Sequence, residues 1–199
     1  NARLELGDLP GALDDFNRAL LFAQNAEAYI GRANVRARQG DVGAAFEDFA
    51  RALQYSRTPS STAHAYSSRA TVRQRAGDLA GALADLNEAL RVRPDAADLY
   101  NTRGNLRQAL GDLEGAYQDF SLAIAVNPNL TDAYLARAGL LVTLGHPQEA
   151  LADFDQALRR DPNNADAYSG RASAAATLGD HTAAIADFTQ VLRLNPSAI

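Results

Sequence analysis

A glycine followed by Asp or His returns at Gly7, Gly40, Gly77, Gly111, Gly145 and Gly179, at intervals of 33, 37, 34, 34 and 34 residues. Other positions keep the same step. Tyrosines fall at Tyr29, Tyr66, Tyr100, Tyr134 and Tyr168, and alanines at Ala12, Ala45, Ala82, Ala116, Ala150 and Ala184. Four residues after each of those alanines stands Phe16, Phe49, Leu86, Phe120, Phe154 or Phe188, and prolines close units at Pro94, Pro128, Pro162 and Pro196. The 199-residue chain is one unit written about five and a half times. A unit this short cannot enclose a core of its own, so neighbouring units must stack.

Within a unit the apolar spacing is helical. In the stretch from Tyr100, a first helix runs to the turn at Gly111, where glycine suits a left-handed C-terminal residue. A second helix is predicted from Leu113 to Val126, with Ala116, Phe120, Ala123 and Ile124 on one face and Pro128 as its stop. A connection this short makes the two helices antiparallel. Small residues such as Ala116 and Ala123 let the axes approach, and the aromatic fills the space beyond. The second unit carries three extra residues in the run Ser-Arg-Thr-Pro-Ser-Ser-Thr, which predicts a longer polar loop at Ser56–Thr62. The units divide as a partial repeat at 1–25 and repeats at 26–62, 63–96, 97–130, 131–164 and 165–199.

Charges also follow the repeat. Arg32, Arg69, Arg103, Arg137 and Arg171 each lie eight residues before a turn glycine, and Asp48, Asp85, Asp119, Asp153 and Asp187 each lie eight after it. In an antiparallel hairpin, equal steps from the turn bring residues to one height, about 12 Å from the turn at 1.5 Å per residue. A ladder of Arg–Asp pairs follows. Pairing each aspartate with the next unit's arginine, as Asp85 with Arg103, is an equally open variant. Five recurrences at one spacing point to architecture, with the ladder fixing register more than adding net stability.

Composition removes several function classes. The net charge of −5 argues against a general nucleic-acid binder, and the absence of cysteine excludes disulfides and thiolate metal sites. All 19 basic residues are arginine, so every cation is a planar fork suited to carboxylates. No apolar run approaches the ~18 residues of a membrane span. No phosphate loop, His-Glu-x-x-His helix or activated nucleophile is present, and no cofactor or metal is expected. His146 and His181 read as exposed turn residues, and His64 as preceding a first helix. Asp98, Asp132 and Asp166 read as capping and dipole partners of successive first helices. The chain is expected not to be an enzyme. It lacks methionine and opens inside a helical pattern, which reads as a processed or truncated product, and cytoplasmic and secreted locations both stay open.

The 34-residue step, the Gly-Asp turn, the A-x-x-x-F pair and the closing proline together resemble the tetratricopeptide repeat family. The resemblance implies an all-α, right-handed superhelical solenoid of about five and a half stacked antiparallel hairpins. It also implies a non-enzymatic scaffold whose first helices line a concave groove for a peptide or partner protein. Arginine stands where the family usually has leucine, at the five ladder positions. By resemblance the groove positions are Asn34, Ala37 and Arg38, then Thr71, Gln74 and Arg75, then Asn105, Gln108 and Ala109. The last two units give Gly139, Val142 and Thr143, then Ser173, Ala176 and Thr177. Arg36, Arg73 and Arg107 occupy a position that is usually aromatic. The family's carboxylate clamp for chaperone tails needs lysines that are absent here, although Asn34 and Asn105 match one of its elements.

Residues 32–109 hold 12 Arg against 8 acids, and residues 110–199 hold 5 Arg against 11 acids. An arginine-bearing floor in the middle units suits a carboxylate or an acidic peptide. A second reading starts from ends that show no polar cap: identical chains could join head to tail in an open filament. The sequon Asn129–Thr131 could carry a sugar if the chain is secreted.

Overall fold

The computed structural model describes residues 7–195, and these form eleven helices without a strand. They fall into two compact units, divided after Asp95. The first unit holds α1 (Leu9–Phe22), α2 (Ala26–Arg38), α3 (Val42–Tyr55), α4 (Pro59–Arg75) and α5 (Leu79–Val92). The second holds α6 (Ala97–Ala109), α7 (Leu113–Val126), α8 (Thr131–Thr143), α9 (Pro147–Arg160), α10 (Ala165–Thr177) and α11 (His181–Leu194). Hairpins α2–α3 and α4–α5 pack in the first unit, and α6–α7, α8–α9 and α10–α11 in the second. Pro196 and the terminal residues behind the uncapped-end reading lie outside the described residues. No described helix is long and apolar enough to cross a membrane.

The turn inside each hairpin is built the same way. At α6–α7, Gly111 takes φ +82°, a conformation that a side chain would strain. The Asp112 N–H then reaches back to the Arg107 carbonyl at 2.9 Å and satisfies an otherwise orphaned acceptor of α6. The aspartate after the glycine caps the second helix. Asp8, Asp41, Asp78, Asp112 and Asp180 each accept a hydrogen bond from the backbone N–H three residues on. His146 makes no such side-chain bond, and α9 begins on Pro147. The capping role expected of Asp98, Asp132 and Asp166 is corrected accordingly. They sit in the first turns of α6, α8 and α10, while the N-cap positions are Ala96, Leu130 and Asn164, of which only Asn164 bonds through its side chain.

The extra residues of the second unit lengthen a helix instead of a loop. α4 runs 17 residues, whereas α2, α6, α8 and α10 run 13 each. Thr58 and Ser61 form a reciprocal capping box, and Pro59 sits where its missing N–H costs nothing. Only Ser56–Thr58 remains between α3 and α4, and His64 falls inside α4, where Nδ1 lies 3.0 Å from Glu27.

Each core is assembled from the repeated small and aromatic positions. In the first unit, Ile30, Ala33, Ala45, Phe49 and Ala65 are buried together. In the second, Ala116, Phe120 and Leu140 form one cluster, and Ala138, Leu141, Ala150, Phe154 and Ala174 another. Phe120 lies over Gly104, where an added Cβ would stand 2.6 Å from the ring. The bare backbone of α6 is what lets α7 close on it.

Candidate functional site

The predicted groove residues of the first unit come together. Asn34 and Arg38 on α2, with Thr71 and Arg75 on α4, line one shallow hollow of about 200 Å³, together with Ala37, Ser68 and Val72. Their spacing along each helix puts them on one face, since residues three or four apart are neighbours. Arg38 and Arg75 are exposed, so both guanidiniums are reachable from solvent. Gln74 is also exposed on α4 but does not line the hollow. Asn105 and Gln108 lie on α6 of the second unit, exposed and half-buried respectively.

The five arginine–aspartate pairs each close within one hairpin. Arg32, Arg69, Arg103, Arg137 and Arg171 all fork onto the aspartate sixteen residues on. Nε donates to one carboxylate oxygen at 2.8–2.9 Å and a terminal nitrogen to the other. Asp85 is held by Arg69 and Arg73, so the cross-unit variant with Arg103 is not the arrangement found. All five aspartates are buried, and Asp119 is wholly so. The fork raises the pKa of Arg32, Arg69, Arg137 and Arg171 above the ordinary arginine value, against the opposing effect of burial. These four pairs therefore keep their positive member at any working pH.

Sequence reasoning left two features of this network unassigned. The arginine four residues before the turn joins the same carboxylate: Arg36 meets Asp48, Arg73 meets Asp85 and Arg107 meets Asp119, at 2.9–3.0 Å. Each also donates to a main-chain carbonyl at the start of the second helix, at Ala44, Gly81 and Gly115. The signal was present as a second constant spacing, twelve residues from arginine to aspartate. The other feature is the tyrosine one turn before the fork. Arg32, Arg69, Arg103 and Arg171 lie 5.5–5.6 Å from the ring centroids of Tyr29, Tyr66, Tyr100 and Tyr168. Arg137 instead lies over Tyr117, while Arg160 covers Tyr134 at 4.4 Å.

Helix pairs, turn glycines and buried A-x-x-x-F positions of this kind agree with what family profiles find. One profile described as tetratricopeptide repeat matches residues 68–130 and 135–199, and a second matches residues 24–95. The chain belongs to the tetratricopeptide repeat family. Its fold is shared with YrrB, a tetratricopeptide protein described as having an unusual peptide-binding site. That match has 24% identity and a TM-score of 0.71, covering 94% of this chain and 95% of YrrB. PilF of Pseudomonas aeruginosa is 20% identical with a TM-score of 0.80, covering 99% of this chain and 89% of its own. A tetratricopeptide protein of Parabacteroides merdae is 24% identical with a TM-score of 0.73, over 96% of this chain and 75% of its own. No curated protein sequence matches the chain. The family's repeats serve as a protein-interaction scaffold in general. Among the described residues, no group of three or more His, Asp or Glu side chains could hold a metal ion.

Proposed function

We propose that the protein captures an acidic peptide segment of a partner protein, without catalysing a reaction, on the face formed by α2 and α4. The observation that carries this reading is the hollow shared by Asn34, Arg38, Thr71 and Arg75. Two guanidiniums at its edge give forked donors for carboxylates, and the amide and hydroxyl can hold a peptide backbone in register. Gln74 is assigned to the edge of the same face. Asn105 and Gln108 are assigned the matching role on α6, in the second unit. The ladder residues are assigned a bracing role inside their own hairpins.

Arg38→Glu combined with Arg75→Glu reverses the charge of the hollow at two exposed positions. Binding of a fluorescent acidic peptide, followed by anisotropy, is expected to fall below detection in this variant. The helical circular dichroism should not change. Unchanged affinity would remove α2 and α4 as the binding face.

A second reading, head-to-tail self-assembly, is favoured by separate observations at the two ends of the described chain. Leu21 and Phe22 at the end of α1 are 85% and 91% exposed, and Ile185, Phe188 and Leu192 on α11 are also exposed. Large apolar side chains left in water are candidates for burial against a second copy. Asn129, exposed between α7 and α8, is the sugar site under a secreted form of this reading. Mass measured across a dilution series separates the two. Growth with concentration favours assembly, and a constant monomer removes it.

A further inference from the structure

The hairpins differ at the residue four before the turn glycine, which is Arg36, Arg73, Arg107, Leu141 and Ala175 in succession. Where it is arginine, the surroundings form a mould for its guanidinium. Arg73 donates from its terminal nitrogen to the Gly81 carbonyl at 2.9 Å and lies 3.0 Å from Asp85, while its Nε stands 3.5 Å from Asp78. The same guanidinium lies 5.9 Å from the ring centroid of Phe46 on the preceding second helix. Arg107 repeats three of these contacts, with the Gly115 carbonyl, Asp119 and Asp112.

In α8–α9 the arginine and the capping aspartate are both gone, while Asp153 stays at the position of Asp85. Leu141 stands at the arginine's position in a buried cluster against which Tyr117 packs, and His146 replaces the capping aspartate. In α10–α11 only the arginine is gone. Asp187, Asp180 and the Ala183 carbonyl stand at the positions of Asp85, Asp78 and the Gly81 carbonyl, but Ala175 replaces Arg73. What remains is a pocket of about 480 Å³ between α9, α10 and α11, within the range of ligand sites. Leu151, Asp155, Arg171, Ala175, Asp180 and Asp187 are among its lining residues. Those charges are three acids against one arginine, and Arg171 is already forked onto Asp187 and bonded to Asp155.

We propose that this pocket binds an arginine side chain presented by a partner polypeptide, in the place that Arg73 and Arg107 occupy in their own hairpins. The acceptors retained are those that a planar fork satisfies together, whereas an ammonium is a single point charge. Leu151 offers the pocket an apolar wall at the helix position where Phe46 lies against the Arg73 guanidinium. The site is independent of the face on α2 and α4: it lies on other helices and takes a ligand of the opposite charge.

The test is a titration of the whole isotope-labelled chain with N-acetyl-arginine amide, read by amide chemical shifts. N-acetyl-lysine amide and free arginine are run as comparators. Saturating shifts are expected at Ala175, Ala183 and Asp187, with the arginine amide binding roughly threefold or more tighter than the lysine amide. Ala175→Arg should abolish these shifts by supplying an internal guanidinium, and should raise the thermal midpoint. Asp180→Asn keeps an oxygen for capping and should weaken binding without loss of fold; it serves as the test should the arginine variant fail to fold. No saturating shift at these amides would overturn the proposal. So would equal response to lysine, which describes a merely acidic pocket, or stronger binding of free arginine, which describes a metabolite site.

Discussion

Asp119→Ala is expected to lower the unfolding free energy by about 3 kcal/mol. The carboxylate is fully buried and accepts from Arg103 and Arg107 at once. Deleting it takes the forked acceptor from Arg103 and one acceptor from Arg107, which keeps the Gly115 carbonyl and Asp112. The penalty is that of half-buried charges left with fewer partners, since the intact pair gains little over an apolar replacement. Partial exposure of the two arginines, at 15% and 23% of their side chains, keeps the loss near the lower end of the range for buried pairs. The two rungs that lack the second arginine should rank below it in a predictable order. Asp153 holds Arg137 alone, because Leu141 stands where the second arginine would be. Asp187 also holds one arginine, and that arginine keeps Asp155 when Asp187 is removed. Urea midpoints of the three alanine variants should therefore fall furthest for Asp119, less for Asp153 and least for Asp187. Equal midpoints would show that the rungs do not carry the stability assigned to them.

The same network shows how far a repeat can be read without coordinates. The turn glycines fix a common origin in every unit, and counting outward from them places Arg103 and Asp119 at one height, where the structure has them 2.6 Å apart. The helix Leu113–Val126 was legible because Gly111 and Pro128 punctuate both ends. Three things were not legible, each for a local reason. The added residues before Thr62 read as loop because Ser, Thr and Pro dominate them, yet the same types make a capping box that starts α4 early. Asp98 and Asp132 read as caps because acids favour helix starts, but they lie two residues past the N-cap positions Ala96 and Leu130. The second arginine stayed unassigned because its carboxylate is already claimed by the first. Only coordinates show one carboxylate serving two forks. The groove positions Asn34, Arg38, Thr71 and Arg75 come from the family resemblance, and that Gln74 does not line the hollow with them depends on the rotation of α4 about its axis.

Phe120→Ala should cost about 3–5 kcal/mol, because the ring is fully buried between α6 and α7 and its loss leaves a cavity against Gly104. Gly104→Ala tests the same contact from the other side. On propensity alone the change would favour α6 by about 1 kcal/mol. The added Cβ would stand 2.6 Å from Phe120 Cε1, however, and the ring cannot retreat through Ala116 and Leu140. Overpacking of this kind costs about 1–3 kcal/mol, so a net destabilisation is expected. If the clash is the cause, a smaller partner must relieve it. Phe120→Leu with Gly104→Ala should lie within about 1 kcal/mol of Phe120→Leu alone, a coupling that independent sites would not show. Strict additivity of the two changes in urea unfolding would separate the residues energetically. It would also remove the reason for a glycine in the middle of α6, and with it the account of how the two helices of this hairpin come close enough for Arg103 to reach Asp119.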